Sequence, residues 1–436
     1  MPPASALTRR GFLKGLVAAA GAPYALTSGA LGAGGRPGAG GRITLGAIGL
    51  GGQGRGVLGN FLHDGRVQVV AVCDVNARRR EAARQEAEAT YARVRRSGRY
   101  RGCASIRDFR ELTSRDDVDA VLVATPDHGH VLPVLHAARS GKDIYCEKPL
   151  SLTVAEGRAM SDACRQHGRV FQHGTQQRSD RNFRLACQIA RNGRLGRLRE
   201  VLVAVPGGRR SDYPPGEPLP EWFDYDLWLG PAPWAPFSPQ RVANQYWYHT
   251  SDYTAGFVSG WGVHHVDIAQ WGLGTEHGGP VEIEGRGEYP AEGLSDAAVT
   301  WHVTLRYADG VVVRFTDSGR NPQGVRFVGD RGWVYVRRGW LEAHPASLLR
   351  ERFGPNDVHL YESPHHARNF IDCVRTRRRT AAPIEAGHRS NTICLISDIA
   401  MRLGRRLRWD PATETFPGDD DANHMLSRAM RQPWRI

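Results

Sequence analysis

The stretch "RITLGAIGLGGQGRGVLGNFL", Arg42 to Leu62, constrains this chain more than any other. An apolar, β-like run leads into Gly49-x-Gly51-x-x-Gly54, with Gln53 inside it, and a helix-like run follows. The first glycine of such a turn permits its tightness, the second lets backbone approach a pyrophosphate, and the third lets helix pack on strand. Phosphates then sit at the helix N-terminus, where free N–H groups gather. Glycine-rich turns are common, so context carries the reading. The next β-like run, "VQVVAVCD", ends on Asp74, at a spacing from which a carboxylate accepts hydrogen bonds from both ribose hydroxyls. Asp74 argues for NAD, while Arg78, Arg79 and Arg80 keep NADP open as binders of a 2′-phosphate.

Two more β-like runs follow, "DAVLVATP" (Asp119 to Pro126) and "KDIYCEKP" (Lys142 to Pro149), with helix-like connections. This alternation predicts a parallel sheet with ligands beyond the carboxyl ends of its strands. Those ends carry the glycine turn, then "TPDHGH" with Thr125, Pro126 and His130, then Glu147-Lys148-Pro149. His128 and His130 read equally well as capping or surface groups, and Glu147 with Lys148 as an ion pair closing a turn.

At 436 residues the chain exceeds what one hydrophobic core usually serves, about 250–300 residues. We divide it into a leader (1–41), a nucleotide-binding domain (42–165) and a second domain (166–436) whose last segment packs back on the first. In the second domain, "AVTWHVTLRYADGVVVRFTDSG" alternates with a hairpin at Asp309-Gly310. "GVRFVGDRGWVYVRRGWLEA" adds strands, and helical segments lie near Phe370 and from Arg389 to Leu403.

Lysine occurs only at Lys14, Lys142 and Lys148 among 58 Lys plus Arg, leaving 55 arginines. Arginine stays protonated, whereas lysine sheds its proton in a dry site. Lys142, between a glycine and an aspartate, reads as a surface charge in a turn. Lys148 reads as a group that needs a removable proton. The net charge of +13 suggests nucleic acid at first, but the arginines are scattered among carboxylates and no recognition motif accompanies them. The seven cysteines lack metal-binding spacing and read as buried free thiols.

"TRRGFLKG" (Thr8 to Gly15) pairs Arg9 with Arg10, and no charged residue follows from Gly15 to Gly35. That resembles a twin-arginine export signal, with "GGRPGAGG" as a flexible leader behind it. Export machinery of that type carries folded proteins, so the reading places the protein in the periplasm or at the cell surface with its thiols unpaired.

With "GTQQRSD" (Gly174 to Asp180), "WLGPAP" (Trp228 to Pro233), "GWGVHHVDIAQWGLG" (Gly260 to Gly274) and "LRWDP", the "EKP" motif resembles the Gfo/Idh/MocA family of glucose-fructose oxidoreductases and inositol dehydrogenases. The resemblance runs from Arg42 onward. It implies an α/β chain: a Rossmann domain with a doubly wound parallel sheet, then an α+β domain on a large open, mostly antiparallel sheet, with the active site between. It implies that Lys148 bonds the reacting hydroxyl near the nicotinamide and that the Lys148–Pro149 bond is cis. Relatives of the inositol dehydrogenase type use Asp-x-x-x-His on a facing helix. The histidine maps onto His264, but the aspartate position is Gly260. His265, Asp267, Asp252 and Tyr253 stand nearby as replacements, and a packed core histidine is the alternative for His264. Adjacent histidines diverge by about 100° on a helix, which argues against a metal site.

Substrate contacts are expected from Arg178, His265 and Asp267 and from "NQYWYHTSDY" (Asn244 to Tyr253), including Tyr248 and Tyr253. Sugars offer hydroxyl edges to polar groups and C–H faces to rings; packing within the loop is the alternative. The expected chemistry is hydride transfer from a sugar or cyclitol carbon, with Lys148 and His264 relaying the hydroxyl proton and burial lowering the Lys148 pKa. An exported enzyme finds little free NAD, so the cofactor is expected to be tightly held and recycled. Recycling occurs by oxidising one sugar and reducing another, by transient oxidation that lets a glycoside bond be eliminated, or through an external acceptor. A non-catalytic sugar-binding or scaffold protein is the rival reading, favoured by Gly260. A dimer or tetramer is implied by resemblance.

Overall fold

The computed structural model of the chain describes residues 41–96 and 100–436; Arg9, Arg10 and the rest of the expected export signal lie outside the described residues. Six strands build the first sheet: β1 (Ile43–Ile48), β2 (Val67–Cys73), β3 (Ala104–Ile106), β4 (Ala120–Val123), β5 (Asp143–Cys146) and β6 (Phe171–His173). Their order is β3-β2-β1-β4-β5-β6, all parallel. Helices cover both faces, which is why β4 and β5 are buried at every position and apolar throughout except for Asp143 at the start of β5. The strand order reverses direction between β1 and β4, and a crevice opens there beyond the strand ends. The sixth strand lies past residue 165, where the sequence reading closes the first domain: after the turn at Gly168 (φ 61°) the three-residue run Phe171–His173 pairs with β5.

The second sheet has eight strands: β7 (Leu198–Val205), β8 (Glu282–Glu288), β9 (Thr300–Arg306), β10 (Val312–Asp317), β11 (Gly324–Gly329), β12 (Gly332–Arg337), β13 (Trp340–His344) and β14 (Leu407–Arg408). They run in the order β13-β12-β11-β7-β10-β9-β8-β14, antiparallel except where β10 meets β7. The expected hairpin joins β9 to β10, with Gly310 at φ 88° and Asp309 accepting from the Val311 amide. Helices Arg181–Arg191, Gly262–Leu273 and Ile384–Leu403 cover one face of the sheet. Phe183, Ile268, Phe315, Phe327 and Ile396 meet there in one core. The other face is polar, with cross-strand pairs such as Arg306 Nε to Glu282 at 3.1 Å.

Two segments of the second half clasp the first. Residues 222–224 bond to the turn after β2: the Ala77 amide donates to Trp222 O and the Asp224 amide to Val75 O. Farther on, Met430 packs against the Rossmann core and Trp434 lies against Phe109 and under the Arg110 guanidinium. Lys142 departs from its expected place at the surface. It is buried, because its ammonium donates to Arg115 O at 2.7 Å and so ties the start of β5 to the loop ahead of β4. The seven cysteines are buried and unpaired. Among the described residues no helix is long and apolar enough to cross a membrane.

Candidate active site

A cavity of about 510 Å³ runs from the glycine turn and Asp74 to Lys148, Tyr248 and His249. It lies at the carboxyl ends of β1, β2 and β4, where the sheet order reverses.

The nucleotide end fits a dinucleotide. Gly49 sits at φ 84°, and a Cβ there would lie 2.5 Å from the Ala124 carbonyl carbon. A Cβ on Gly54 would lie 2.0 Å from Gly49 O, whereas one on Gly51 would meet nothing nearer than Arg79, at 3.8 Å. Thus two glycines let helix and strand close up, and the third leaves backbone open to the cavity. The helix Gly52–Leu62 has no side-chain cap and no acidic residue in its first turn, so its amides are free for phosphate. Asp74 accepts from the amides of Leu50 (2.6 Å) and Asn76 (2.7 Å), which fixes the carboxylate at the cavity wall. Burial raises its pKa, and those two bonds oppose the shift. Of the three arginines, Arg78 stacks on Trp222 and Arg80 donates to Asp74 O and Ser105 Oγ. Only Arg79 lines the cavity. Thr125 also lines it, with a buried hydroxyl that has no partner among the described residues.

Between the two ends stands the Glu147-Lys148-Pro149 turn, with the Lys148–Pro149 bond cis. Glu147 is buried and accepts from Gln176 Nε2 at 2.8 Å; Gln53 bonds the same carboxylate and lowers its pKa, against a larger upward push from burial. His130 does not line the cavity. Its ring nitrogens lie 2.7 Å from Pro149 O and 2.9 Å from Thr125 O, so it braces the turn against β4's end. His128 packs between Trp228 and Tyr253 and bonds Trp228 O.

Lys148 Nζ donates to Tyr248 Oη (3.0 Å) and to Gly260 O (2.8 Å), and Tyr248 Oη donates to Gly260 O (2.9 Å). A Cβ built on Gly260 would lie 2.3 Å from Tyr248 Oη. The phenol therefore fills the place where a side chain on residue 260 would begin. The pKa of Lys148 also departs from expectation. Burial alone pushes it down, but Tyr248, Glu147 and Asp127 outweigh burial and hold it above the usual lysine value. The resting group is an ammonium. Burial raises the Tyr248 phenol, so it rests neutral.

Four expected substrate contacts lie elsewhere. Arg178 and Asp267 meet in a two-point ion pair away from the cavity, with Glu276 as a second partner of Arg178. Their opposite charges find each other across the packed helices, so neither faces a ligand. His265 bonds Ala204 O and stacks on Trp261, on the sheet side of its helix. Tyr253 is fully buried against Trp228 and His128. Asp252 is off the cavity wall too, among Asp296, Arg428 and Arg241, so neither it nor Tyr253 replaces the missing aspartate. His264 is also off the cavity wall: it is buried edge-on to Trp261, with Nδ1 unpartnered among the described residues. Burial and the nearby Lys148 hold its pKa well below the usual histidine value.

Asp127 and His249 also stand on the wall, inside the stretches "TPDHGH" and "NQYWYHTSDY" but not singled out there. Asp127 accepts from Thr254 Oγ1 at 2.7 Å, and burial pushes its pKa up to about 7. His249 is buried with Nδ1 unpartnered among the described residues, and burial lowers it to about 4. Trp247, Phe257 and Trp228 supply apolar walls, and Trp434 closes the side near Phe109. A strand-end aspartate in "TPDHGH" was the available signal for Asp127. His249 had none, since its loop has no periodicity.

Two family models match the chain: the oxidoreductase family NAD-binding Rossmann fold over residues 43–175, and the oxidoreductase family C-terminal alpha/beta domain over residues 210–436. The chain is 28% identical over 244 residues to inositol 2-dehydrogenase 2 of Saccharopolyspora erythraea, covering 54% of this chain and 58% of that protein. It is 32% identical over 114 residues to a glycosyl hydrolase family 109 protein of Shewanella pealeana, covering 26% and 24%. The chain spans less than two thirds of the length of each. The WlbA dehydrogenase of Bordetella pertussis, solved with NADH and UDP-GlcNAcA, has the same fold, with TM-score 0.61, 19% identity and coverage of 84% of this chain and 98% of that one.

Proposed function

Because the chain belongs to the Gfo/Idh/MocA oxidoreductase family and has that family's NAD-binding domain, we propose that it oxidises and reduces a hydroxyl-bearing carbon of a sugar, glycoside or cyclitol. The observation that carries this reading is Lys148, a half-buried ammonium in the same cavity as the glycine turn and Asp74. NAD, when bound there, supplies the site that accepts or returns a hydride. An ammonium has three N–H groups. Tyr248 and Gly260 take two, which leaves one for a substrate oxygen. His249 offers a neutral imidazole, and Trp247 and Phe257 offer faces for C–H groups.

Transient oxidation followed by elimination of a glycoside bond is the second reading, supported by the likeness to a glycosyl hydrolase family 109 protein. Export through Arg9 and Arg10 would place the enzyme where free NAD is scarce, so we read the cofactor as tightly held and recycled in each cycle. The polar face of the second sheet would then pair with a further copy of the chain. The test is to incubate purified full-length protein with sugars, cyclitols and glycosides without added NAD. Nicotinamide absorbance and product masses are followed together. Redox cycling without cleavage supports the first reading and released aglycone the second. A protein that takes up no NAD and changes no substrate overturns both.

A further inference from the structure

We propose that Tyr248 is a catalytic residue here, the proton-transfer partner of Lys148, seated in the space that a side chain at residue 260 would need. The proposal rests on the oxidoreductase reading above and deepens it.

Three contacts carry it. Lys148 Nζ, Tyr248 Oη and Gly260 O form a closed triangle with sides of 3.0, 2.8 and 2.9 Å. Tyr248 lines the substrate end of the cavity, so its hydroxyl belongs to the site and not only to the packing. The 2.3 Å from a Cβ on residue 260 to Tyr248 Oη makes the two positions mutually exclusive: a carboxylate at 260 and this phenol cannot occupy the site together. The ring is fixed edge-on by Trp247 at 4.9 Å and Phe257 at 5.4 Å between centroids, so its oxygen is preorganised. The other candidate, His264, has no place on the wall.

Lys148 and Tyr248 interact closely enough to titrate as a pair. The charged groups that bear on them are Glu147 and Asp127 from the Rossmann strand ends. The imidazoles of His130, His173 and His264 in turn feel the ammonium. In oxidation, with NAD held at the glycine turn and Asp74, the substrate C–H bond would break and its electron pair would leave as hydride, which the cofactor would accept. The O–H bond breaks, its pair forms the C=O bond, and the proton passes to the pair, which has first given one proton to solvent from its resting ammonium–phenol form. The step ends with a phenol beside an ammonium, and loss of one proton to solvent resets the pair. Reduction runs the same path backwards, the phenol giving its proton to the alkoxide oxygen.

The experiment compares wild type, Tyr248→Phe, Tyr248→Ala and Tyr248→Ala/Gly260→Asp, each measured for NAD retention, kcat, KM and the pH profile of kcat. Tyr248→Phe should keep NAD and KM, lose kcat by ~10²–10⁴-fold, and lose the limb of the pH profile that belongs to the pair. The double variant should recover turnover over Tyr248→Ala, with its limb moved to lower pH, as a carboxylate takes over. A Tyr248→Phe protein with wild-type kcat and pH profile overturns the proposal, as does a double variant no faster than Tyr248→Ala. If wild type itself never cycles nicotinamide with any carbohydrate, the functional reading has failed instead.

Discussion

Arg178 grips Asp267 at two points, Nε to Oδ2 at 2.6 Å and Nη2 to Oδ1 at 2.8 Å, with both side chains almost wholly shielded from water. The pair joins the turn after β6 to the helix Gly262–Leu273, the helix whose start holds Gly260 in place under Lys148. Arg178→Met leaves a buried carboxylate unpaired and should cost about 3–5 kcal/mol in urea unfolding. Adding Asp267→Leu should return most of it. The KM of whatever protein remains folded should not change, and a specific rise in KM with unchanged stability would return Arg178 to the substrate.

Lys148→Arg tests the removable proton. Arginine keeps the charge and the capacity to donate but does not deprotonate. Single-turnover reduction of bound NAD should slow by ~10²–10⁴-fold, with NAD still bound. A variant that turns over at the wild-type rate would falsify the proton-relay role.

Coenzyme choice should pivot on Asp74 and Arg79. Asp74→Ser removes a charged acceptor worth about 1.5–3 kcal/mol, so NAD affinity measured by calorimetry should fall by ~10–100-fold. Arg79 alone of its neighbours faces the cavity, and it should then favour NADP. The further change Arg79→Ala should abolish that gain; an equal NADP affinity in both variants would show that Arg79 does not reach the 2′-phosphate.

Acid should destabilise the fold through its buried histidines. Burial holds His128, His130, His249, His265 and His366 at about 4, below the ordinary 6.5. Between those values the unfolded chain binds protons that the folded chain refuses, so stability rises with pH there. Asp127 and Glu156, both pushed up to about 7 by burial, act oppositely: the folded chain holds their protons, and stability is lost as pH rises toward 7. The histidines outnumber the carboxyls. Tm should therefore climb between about pH 4 and 6.5 and flatten near neutrality; a Tm that falls across that window would contradict the burial of these rings.

Much of the first half was legible because its signals are local. Gly49, Gly51, Gly54 and Asp74 sit where strand and helix spacing puts them, and Lys148 was visible through its rarity and its place at a strand end. The second half was legible as sheet and helix, from alternation around Asp309-Gly310. Its side of the site was legible only in part: Tyr248 was expected at the substrate and lines the cavity, but His249 beside it sits on an irregular loop with no periodicity to single it out. Arg178, Asp267 and His265 looked available only because their partners lie far away in sequence. Gly260 was correctly seen as a gap, but what filled it, Tyr248, depends on a contact across two separate segments.

Trp434 gives this arrangement a temporal side. The dinucleotide chamber has its floor at Gly49–Gly54 and part of its wall at Trp434, so it is assembled from stretches made early and late in synthesis. Joining such distant stretches is slow, because the intervening chain must be ordered first. A nascent Rossmann half thus emerges with its nucleotide crevice lacking the part of its wall that Trp434 supplies. Closure of the wall at Trp434 therefore reports on both halves at once: a chain that has not seated this ring against Phe109 is one whose two distant stretches have not yet met.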